Sequence, residues 1–527
     1  MTSFLIVAFT SSYCSMSFSM IMALLMGEFT GEEVLTQCLT LGPYLLGLGL
    51  GSVAGDKFKE ETRLSRLFLI EWISVLILPL IPLIQLLGIF LFINLSPFNQ
   101  GLDTPRTLSF LLSYTAVLSF LSGLLGGSQL PLILKSARDV KAEVILAVNY
   151  LGPLFAGISV VVLSGMTFSF GFQIYLIGLV QLVGLFFLIL KLPDRAKALI
   201  SLSVPLGILF LAGSAYPELE MLTVKSGYMN TRFNNAKEIF RPGSLLNVVR
   251  SYGILQRVRT SYQTIDLFIE PGDPKFGVPA NATLYLNRKP QFDIFSVDVY
   301  HETMVDGAFN LLGKTPGSVL VLGAGDGLIL NELRRFPEVK EIVMVELDDK
   351  MLEWSRENSV ISGLNDGVLS DIPKNSKILT MDAVSFLRNN NTRKFDLILV
   401  DFPFPNGHEL AKLYSREFYE LVKRSLSPEG LVVVDLPLYL NEEDKLSRES
   451  NVILRTMDAA GFRNRLLVGP NAAFVALKTG GVPLRFNYKN FPEDMSLSGA
   501  FNLVAPFEAP EFTPADEVNT MFWPKGL

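Results

Sequence analysis

"VLVLGAGDGLILNELRRFPEVKEIVMVELDD" (Val319–Asp349) decides the fold of the second half of this 527-residue chain. A Val/Leu run ends in three glycines, Gly323, Gly325 and Gly327, each separated by one residue. A stretch with helical periodicity follows, then a second β-branched run that closes on Glu346. Strand, glycine turn, helix and strand form the opening of a nucleotide-binding unit. The alternation continues downstream. "DKMLEWSREN" reads as a helix, "SKILTMD" as a strand and "AVSFLR" as a helix start. "FDLILVD" is then a strand, "SREFYELVKRSL" a helix and "GLVVVDLP" a strand. This pattern predicts a parallel sheet covered by helices, with its ligand at the carboxyl ends of the strands.

Acids gather at those ends. Asp326 lies inside the glycine turn, and Glu346, Asp382 and Asp401 close the next three strands. Glu346 stands about 20 residues beyond the turn, the spacing at which a carboxylate holds ribose hydroxyls. The turn carries an acid and no Lys or Arg, which disfavours a pyrophosphate and argues against NAD or ATP. A nucleoside with a ribose, a base and a positive sulfonium fits better. The competing reading is that such acids cap helices or end strands in solvent.

The first half differs in kind. Apolar segments at 4–26, 34–54, 67–93, 108–134, 143–164, 170–190 and 198–216 each approach or exceed the roughly 20 residues that a membrane span needs. Basic residues collect in alternate loops: Lys57, Lys59, Arg63 and Arg66, then Lys135, Arg138 and Lys141, then Lys191, Arg195 and Lys197. The positive-inside rule puts the N-terminus in the cytoplasm, in a multi-pass protein of the inner membrane. Seven crossings would leave the second half outside. The seventh segment is the shortest and holds Pro205 and Gly207, so a re-entrant or interfacial piece is the alternative. "GLGLGS" and "SGLLGGSQLP" suit close helix packing or a cavity at membrane depth. Glu28, Glu71 and Gln129 sit in or beside spans, and an intramembrane carboxylate is a functional candidate by default.

The expected organisation is a transmembrane domain over 1–216, a polar linker over 217–250, a small β subdomain over 251–300, a Rossmann-like domain over 301–485 and a tail over 486–527. The net charge of −6 gives no basic footprint for nucleic acid. Cys14 and Cys38 make no disulfide framework or CxxC site, and His301 and His408 are too few to seed a zinc centre.

These motifs resemble the polyamine aminopropyltransferases, or spermidine synthases, and best of all their membrane-bound bacterial branch. "YQTIDLF" (Tyr262–Phe268) is similar to the family's YQ-containing strand, and "VYHETMV" (Val299–Val305) to its Y-H/Q-E-M segment. "VLGAGDG" resembles the GGGDGG turn with Ala324 in place of a glycine, "VELDD" resembles VEID, and "MDAVSFL" resembles GDA-x-x-FL. "LYSREFYELVKRSLSPEGLVVV", "MGEFTGEE", "GLGLGS" and "EVNTMFWPKGL" extend the likeness over almost the whole chain. The resemblance implies a class I methyltransferase-type fold. It implies that Gln263, Asp326, Glu346 and Asp382 bind decarboxylated S-adenosylmethionine as co-substrate, with Glu346 on the ribose, Asp382 on the adenine side and Asp326 at the aminopropyl end. The glycine turn at Gly323 and Gly325 lies against that donor. Tyr300 and His301 line the site, Asp401 faces the attacking amine, and no cofactor or metal is called for. The partners implied are a small-molecule amine, the nucleoside donor and the lipid bilayer, with no nucleic acid and with room for a homodimer.

One segment departs from the family. Its D-S-S-D-P, or D-L-P-D-P in the membrane branch, is here "DFPFPNG", with Asp401 kept and Phe404 where the second acid stands. Asp435 replaces a family glutamine, and G-x-W-G-F appears only as "NAAFVAL". Phe404 is therefore expected at the acceptor, as an apolar wall or cation–π face, with putrescine used weakly. Glu409 or Asp435 is the alternative holder of the amine. Two other activities stay open: an S-adenosylmethionine methyltransferase on the same fold, and a polyamine or nucleoside sensor or transporter without turnover.

Overall fold

The computed structural model describes residues 2–30, 33–58, 63–95, 105–230, 242–272, 279–390, 392–405, 408–436, 447–468, 474–480, 484–486, 506–507 and 518–522. It divides into two units, Met1–Ala280 and Asn281–Leu527.

The first unit is a helical bundle followed by a hairpin. Its helices are α1 (Thr2–Thr30), α2 (Glu33–Asp56), α3 (Arg63–Ile77), α4 (Ile81–Leu95), α5 (Pro105–Ser136), α6 (Ala142–Gly165), α7 (Phe170–Ile189), α8 (Arg195–Ser201), α9 (Ser203–Asn230) and α10 (Pro242–Ser251). Among the described residues, seven helical spans are long and apolar enough to cross a membrane, one for each segment read from the sequence. The third, Arg63–Asn94, is broken into α3 and α4 by a 3-10 turn at Leu78–Leu80, where Pro79 removes a backbone donor.

The seventh span corrects the sequence reading. The span Arg195–Met229 covers 35 residues, and α9 runs through Pro217 to Asn230, where a linker was expected from 217. The polar residues that suggested a linker are accommodated by pairing. Glu220 meets Arg259, the Thr223 hydroxyl donates to the Leu219 carbonyl at 2.6 Å, and Lys225 Nζ donates to the Arg250 carbonyl at 3.0 Å.

The glycine-rich segments are packing surfaces. A side chain at Gly47 or Gly51 of α2 would run into the backbone of α5, and one at Gly123 or Gly127 of α5 into the backbone of α2. Glu28, at the end of α1, is an ion-pair partner. It meets Arg257 and, at 3.0 Å, Arg259, both on β1 (Ile254–Arg259). β1 pairs antiparallel with β2 (Thr264–Glu270), from Ile254↔Ile269 to Arg259↔Thr264. On β2, the fully buried Asp266 accepts the Tyr228 hydroxyl at 2.6 Å.

The second unit opens with a hairpin of β3 (Asn281–Leu286) and β4 (Lys289–Asp293). Asn287 and Arg288 both turn it at positive φ, the geometry of a tight two-residue hairpin. Helix α11 (Val297–Leu312) follows and stops at Gly313, which is left-handed at φ +68. The elements then alternate as β5 (Ser318–Gly323), α12 (Leu328–Arg334), β6 (Glu341–Glu346), α13 (Asp349–Glu357), α14 (Ser359–Leu364), β7 (Ser376–Thr380), α15 (Ala383–Asn389), β8 (Phe395–Asp401), α16 (His408–Ala411), α17 (Arg416–Ser425) and β9 (Leu426–Asp435). After α18 (Arg448–Ala459) come β10 (Asn464–Val468), β11 (Phe474–Lys478) and β12 (Pro506–Phe507).

The sheet order is β12-β10-β11-β9-β8-β5-β6-β7. The five strands β5 to β9 are parallel, as the alternating pattern predicts. β10, β11 and β12 add an antiparallel edge, so the sheet is mixed where an all-parallel one was expected. Along β5, Leu320 and Leu322 face one core with Phe418 and Tyr419, while Val319 and Val321 face the other with Ile329 and Leu333. Burial on both faces explains why these strands read as continuous apolar runs.

Candidate active site

The chain steps from β5 to β6 and β7 on one side of the sheet, then returns to lay β8 and β9 on the other. The order therefore reverses between β5 and β8, and a crevice opens beyond their carboxyl ends. Gly323 and Asp401 are partners across that boundary.

The glycine turn is shaped by what surrounds it. Gly323 is at φ +90, and a side chain there would collide with the Asp401 carbonyl. A Cβ at Gly325 would stand 2.8 Å from Met351 Cγ and 3.1 Å from Glu346 Oε2, so the glycine lets the Glu346 carboxyl lie against the turn. Ala324 sits at φ +64, a conformation that costs a residue with a side chain about 1 kcal/mol. The buried Asp326 turns its Oδ1 to the Leu328 amide at 2.9 Å, and its carbonyl accepts Asn365 Nδ2 at 2.7 Å.

Glu346 is buried at the end of β6, where Oε1 accepts the Asp348 amide at 2.8 Å. Burial pushes its carboxyl up to about 7, against the lowering effect of that hydrogen bond. Asp382 follows β7 beside it, since Glu346 pairs with Thr380 and its carbonyl takes the Met381 amide at 2.9 Å. Asp382 also caps α15 through the Ser385 amide at 2.7 Å, so the capping reading holds for one of its oxygens.

The remaining residues converge at the reversal point. Tyr300 donates its hydroxyl to Asp401 Oδ1 at 3.0 Å and also lies within hydrogen-bond reach of Asp435. One ligand-type atom from each of His301, Asp326 and Asp401 lies within 4.8 Å of the other two. His301 Nδ1 lies 2.7 Å from the Val297 carbonyl, to which it donates, and burial lowers the pKa of the ring, with Asp401 and that carbonyl working against it. Burial, then the neighbouring Asp326 charge, raises Asp401 to about 6. Asp326 is likewise raised to about 6 by burial, with the Leu328 amide working against it. Asp435 is held well above the ordinary carboxylate range by burial and then by Asp401.

Asp326, Glu346, Tyr300, His301 and Asp401 are thus brought to one crevice, with Gly323 and Gly325 shaping its wall and Asp382 beside Glu346. Gln263 lies in the β1–β2 turn of the first unit, where its amide donates to Thr260 Oγ1 at 3.0 Å. Phe404 is half-buried against the apolar core that contains Phe402 and Tyr414. The side chains of His408 and Glu409 lie outside the described residues. Two further residues belong to the site. Asp435 was legible as a strand-end acid. Tyr414 was not: it is buried and donates to the carbonyls of Phe402 (3.2 Å) and Pro403 (3.1 Å), fixing the chain just after Asp401.

A Rossmann-like strand-end site, floored by a glycine turn and lined by the buried Asp326 and Glu346 and the half-buried Asp401 and Asp435, is the candidate active site. Residues 297–455 match the family model of the spermine/spermidine synthase domain. The chain is an enzyme related to the polyamine aminopropyltransferases, as its motifs implied. It is 27% identical to the polyamine aminopropyltransferase of Oceanobacillus iheyensis over 443 residues, which cover 82% of this chain and 77% of that one. It is 26% identical to that of Leptospira interrogans over 508 residues, 92% of this chain and 88% of the other. Among solved structures it is similar to a spermidine synthase in complex with the transition state analogue AdoDATO, at 18% identity and a TM-score of 0.38 over 46% of this chain and 80% of that one.

Proposed function

We propose that this chain is a membrane-anchored aminopropyltransferase that moves an aminopropyl group from decarboxylated S-adenosylmethionine to an amine and releases methylthioadenosine. The observation that carries the reading is the array of carboxyls at the reversal point: the half-buried Asp401 accepts the Tyr300 hydroxyl, Asp435 lies within reach of it, and the buried Asp326 stands beside Asp401. Such an array costs stability until a cation enters it, and both the donor sulfonium with its ammonium and the acceptor amine are cations.

In this reading Glu346 and Asp382 hold the nucleoside, and Asp326 pairs with the aminopropyl end. The acceptor nitrogen attacks the methylene carbon attached to sulfur. The new C–N bond forms as the C–S bond breaks, and its electron pair leaves the sulfur as a neutral thioether. The nitrogen has an electron pair to attack with because the arriving ammonium has first passed one proton to Asp401, which Tyr300 orients. Asp435 takes the second role that Phe404 cannot fill, holding the positive body of the amine.

The membrane reading is supported by the seven apolar spans and by large side chains on them, such as Leu46, Val53, Leu154, Ile158, Val161 and Phe210, that are more than half exposed. The lipid bilayer is their natural solvent, in an inner-membrane, multi-pass arrangement. The donor is a cytoplasmic metabolite, so we assign the catalytic unit to the cytoplasmic face, which with seven full crossings puts the N-terminus on the opposite side, against the distribution of basic loops. Reporter fusions after Leu527 test that placement, and an active periplasmic phosphatase there would overturn it.

The activity is tested by incubating purified full-length chain with each nucleoside donor and an amine. Methylthioadenosine together with an aminopropylated amine is the expected result. S-adenosylhomocysteine from S-adenosylmethionine would make it a methyltransferase, and neither product would make it a binding protein.

A further inference from the structure

The helical bundle contains buried polar groups that fall into two classes. Several are paired across helices: Ser19 with Ser119 at 3.1 Å, Tyr44 with Ser15 at 3.2 Å and Gln85 with Thr115 at 3.0 Å. Such pairs hold apolar helices together. Glu71 and Gln181 do not fit that role. Both are fully buried, and no described residue makes a hydrogen bond to either carboxyl oxygen of Glu71 or to either amide atom of Gln181.

The two belong to one level of the bundle. Ser11 of α1 stands beside the Glu71 carboxyl but gives its hydroxyl to the Val7 carbonyl at 2.7 Å. Ser74, one turn from Glu71 on α3, accepts Gln129 Nε2 at 2.9 Å, and this leaves Gln129 Oε1 without a partner among the described residues. Gln181 lies on α7 between Ile177, whose carbonyl accepts Cys14 Sγ at 3.3 Å, and Gly184, which abuts Thr10. Residues 10–14 of α1 thus border both Glu71 on α3 and the face of α7 that carries Gln181, and Ser74 ties Gln129 of α5 to the turn next to Glu71. No described cation pairs with Glu71, although the chain pairs its other bundle acids, Glu28 and Glu220, with arginines.

The unpartnered set is rich in acceptors: two carboxyl oxygens and two amide oxygens against the single amide nitrogen of Gln181. We propose that this four-helix level is a binding site for a primary alkylammonium, with Glu71 as its counter-ion and the Gln129 and Gln181 carbonyls accepting its remaining N–H groups. Three N–H donors and one positive charge on an apolar stem match three acceptor groups, one of them ionised, in an apolar wall. A proton alone would neutralise Glu71 but would leave both amide oxygens without donors. The inference rests on the reading of the bundle as membrane-spanning, and extends it by giving the bundle a ligand of the same class as the amine used in the second unit.

The test uses the full chain in lipid nanodiscs, in an Asp401→Asn/Asp435→Asn background that removes amine binding at the transferase crevice. The probes are radiolabelled 1,4-diaminobutane and n-butylamine. The expected result is that amine binding persists in this background, falls about 30-fold or more with Glu71→Gln, and weakens with Gln181→Leu. Glu71→Gln on the otherwise wild-type chain retains transferase activity toward soluble amine, which also reports folding; should it fail to fold, Gln181→Leu decides. Loss of all amine binding in the background chain, or binding indifferent to both bundle substitutions, would overturn the proposal. So would an infrared carboxyl band of Glu71 that moves with pH and not with amine. Bundle binding without transfer in the wild type would refute the transferase reading alone; transfer without bundle binding would refute this one alone.

Discussion

Replacing Asp401 by Asn should kill the reaction and stabilise the fold around it. In the folded chain the carboxyl is raised from 3.8 to about 6, by burial first and by the Asp326 charge second. A group whose folded pKa is raised contributes stability that is present below its unfolded value and lost as pH rises through the folded one. Asp401 therefore costs the fold nothing below about pH 3, where it is protonated in both states, and its full penalty is reached above about pH 7. The shift spans roughly two units at 1.36 kcal/mol each, an upper figure of about 3 kcal/mol. Partial solvent access to Asp401 brings the working value below that. Asn keeps the shape and can still accept the Tyr300 hydroxyl, but carries no charge. Hydrogen exchange followed by mass spectrometry on β5 and β8 peptides measures the effect in the full chain. At pH 8 the variant's amides should exchange on the order of tenfold to a hundredfold more slowly than wild type at the same pH, and the difference should vanish below the unfolded carboxyl value, at about pH 3. Release of methylthioadenosine should fall by about 10²–10⁴-fold, as for loss of a general base. A variant no better protected than wild type at pH 8 would refute the claim that this carboxyl is held at a cost for the sake of a cation.

The other expectations concern the rest of the crevice. Glu346→Ala should weaken methylthioadenosine binding by about 1–3 kcal/mol for each buried hydrogen bond lost, and calorimetry showing unchanged affinity would remove Glu346 from the donor site. The pH profile of kcat/KM should fall steeply as pH drops through about 7 to 6, because Glu346, Asp401 and Asp326 take up protons there and lose the charge that holds donor and amine; a flat profile down to pH 5 would contradict this. Asp435→Asn should raise KM for 1,4-diaminobutane while leaving nucleoside affinity alone, whereas Phe404→Asp should lower thermal stability without improving diamine use, since it sets a carboxyl against the apolar core. Ala324→Gly should leave the melting temperature nearly unchanged, the roughly 1 kcal/mol relieved at positive φ being offset by about 0.8 kcal/mol of lost methyl burial.

The parallel strands and the strand-end acids were legible because both follow from local pattern. A strand buried on two faces writes itself as a Val/Leu/Ile run, and the residue after it marks the ligand edge. The antiparallel edge was not legible: β10 and β11 are five residues each and β12 two, too short for a periodicity to declare itself. The C-terminal half of α9 was misread for another reason. Glu220 and Lys225 look solvated in one dimension, and only the fold supplies Arg259 and the Arg250 carbonyl that let them be buried. Phe404 drew attention as a lost acid, but its surroundings are core, and Asp435 reaches the same hydroxyl as Asp401 from a strand that is distant in sequence. A position in a motif tells which residue is missing; only packing tells which residue stands in.

The two kinds of buried acid in this chain separate structure from function on one criterion. Where a carboxylate serves the architecture, the chain supplies its cation: Glu28 and Glu220 meet Arg259, Glu28 also meets Arg257, and Asp266 lies 3.4 Å from Arg257 Nε. A buried pair of this kind is roughly self-compensating, and removing either partner is what costs several kcal/mol. In the transferase crevice the neighbours of Asp401 are a tyrosine, a buried histidine and two other acids, and in the bundle the carboxyl of Glu71 has the Ser11 hydroxyl beside it but no cation among the described residues. Among the described residues, the chain that places arginine opposite Glu28 places none opposite these, and ionising them is a cost to the fold. A ligand that brings one positive charge and several N–H donors removes that cost in either place. An amine meets that description at both sites, and this common requirement is the physical link between a bundle of apolar helices and a transferase on one chain.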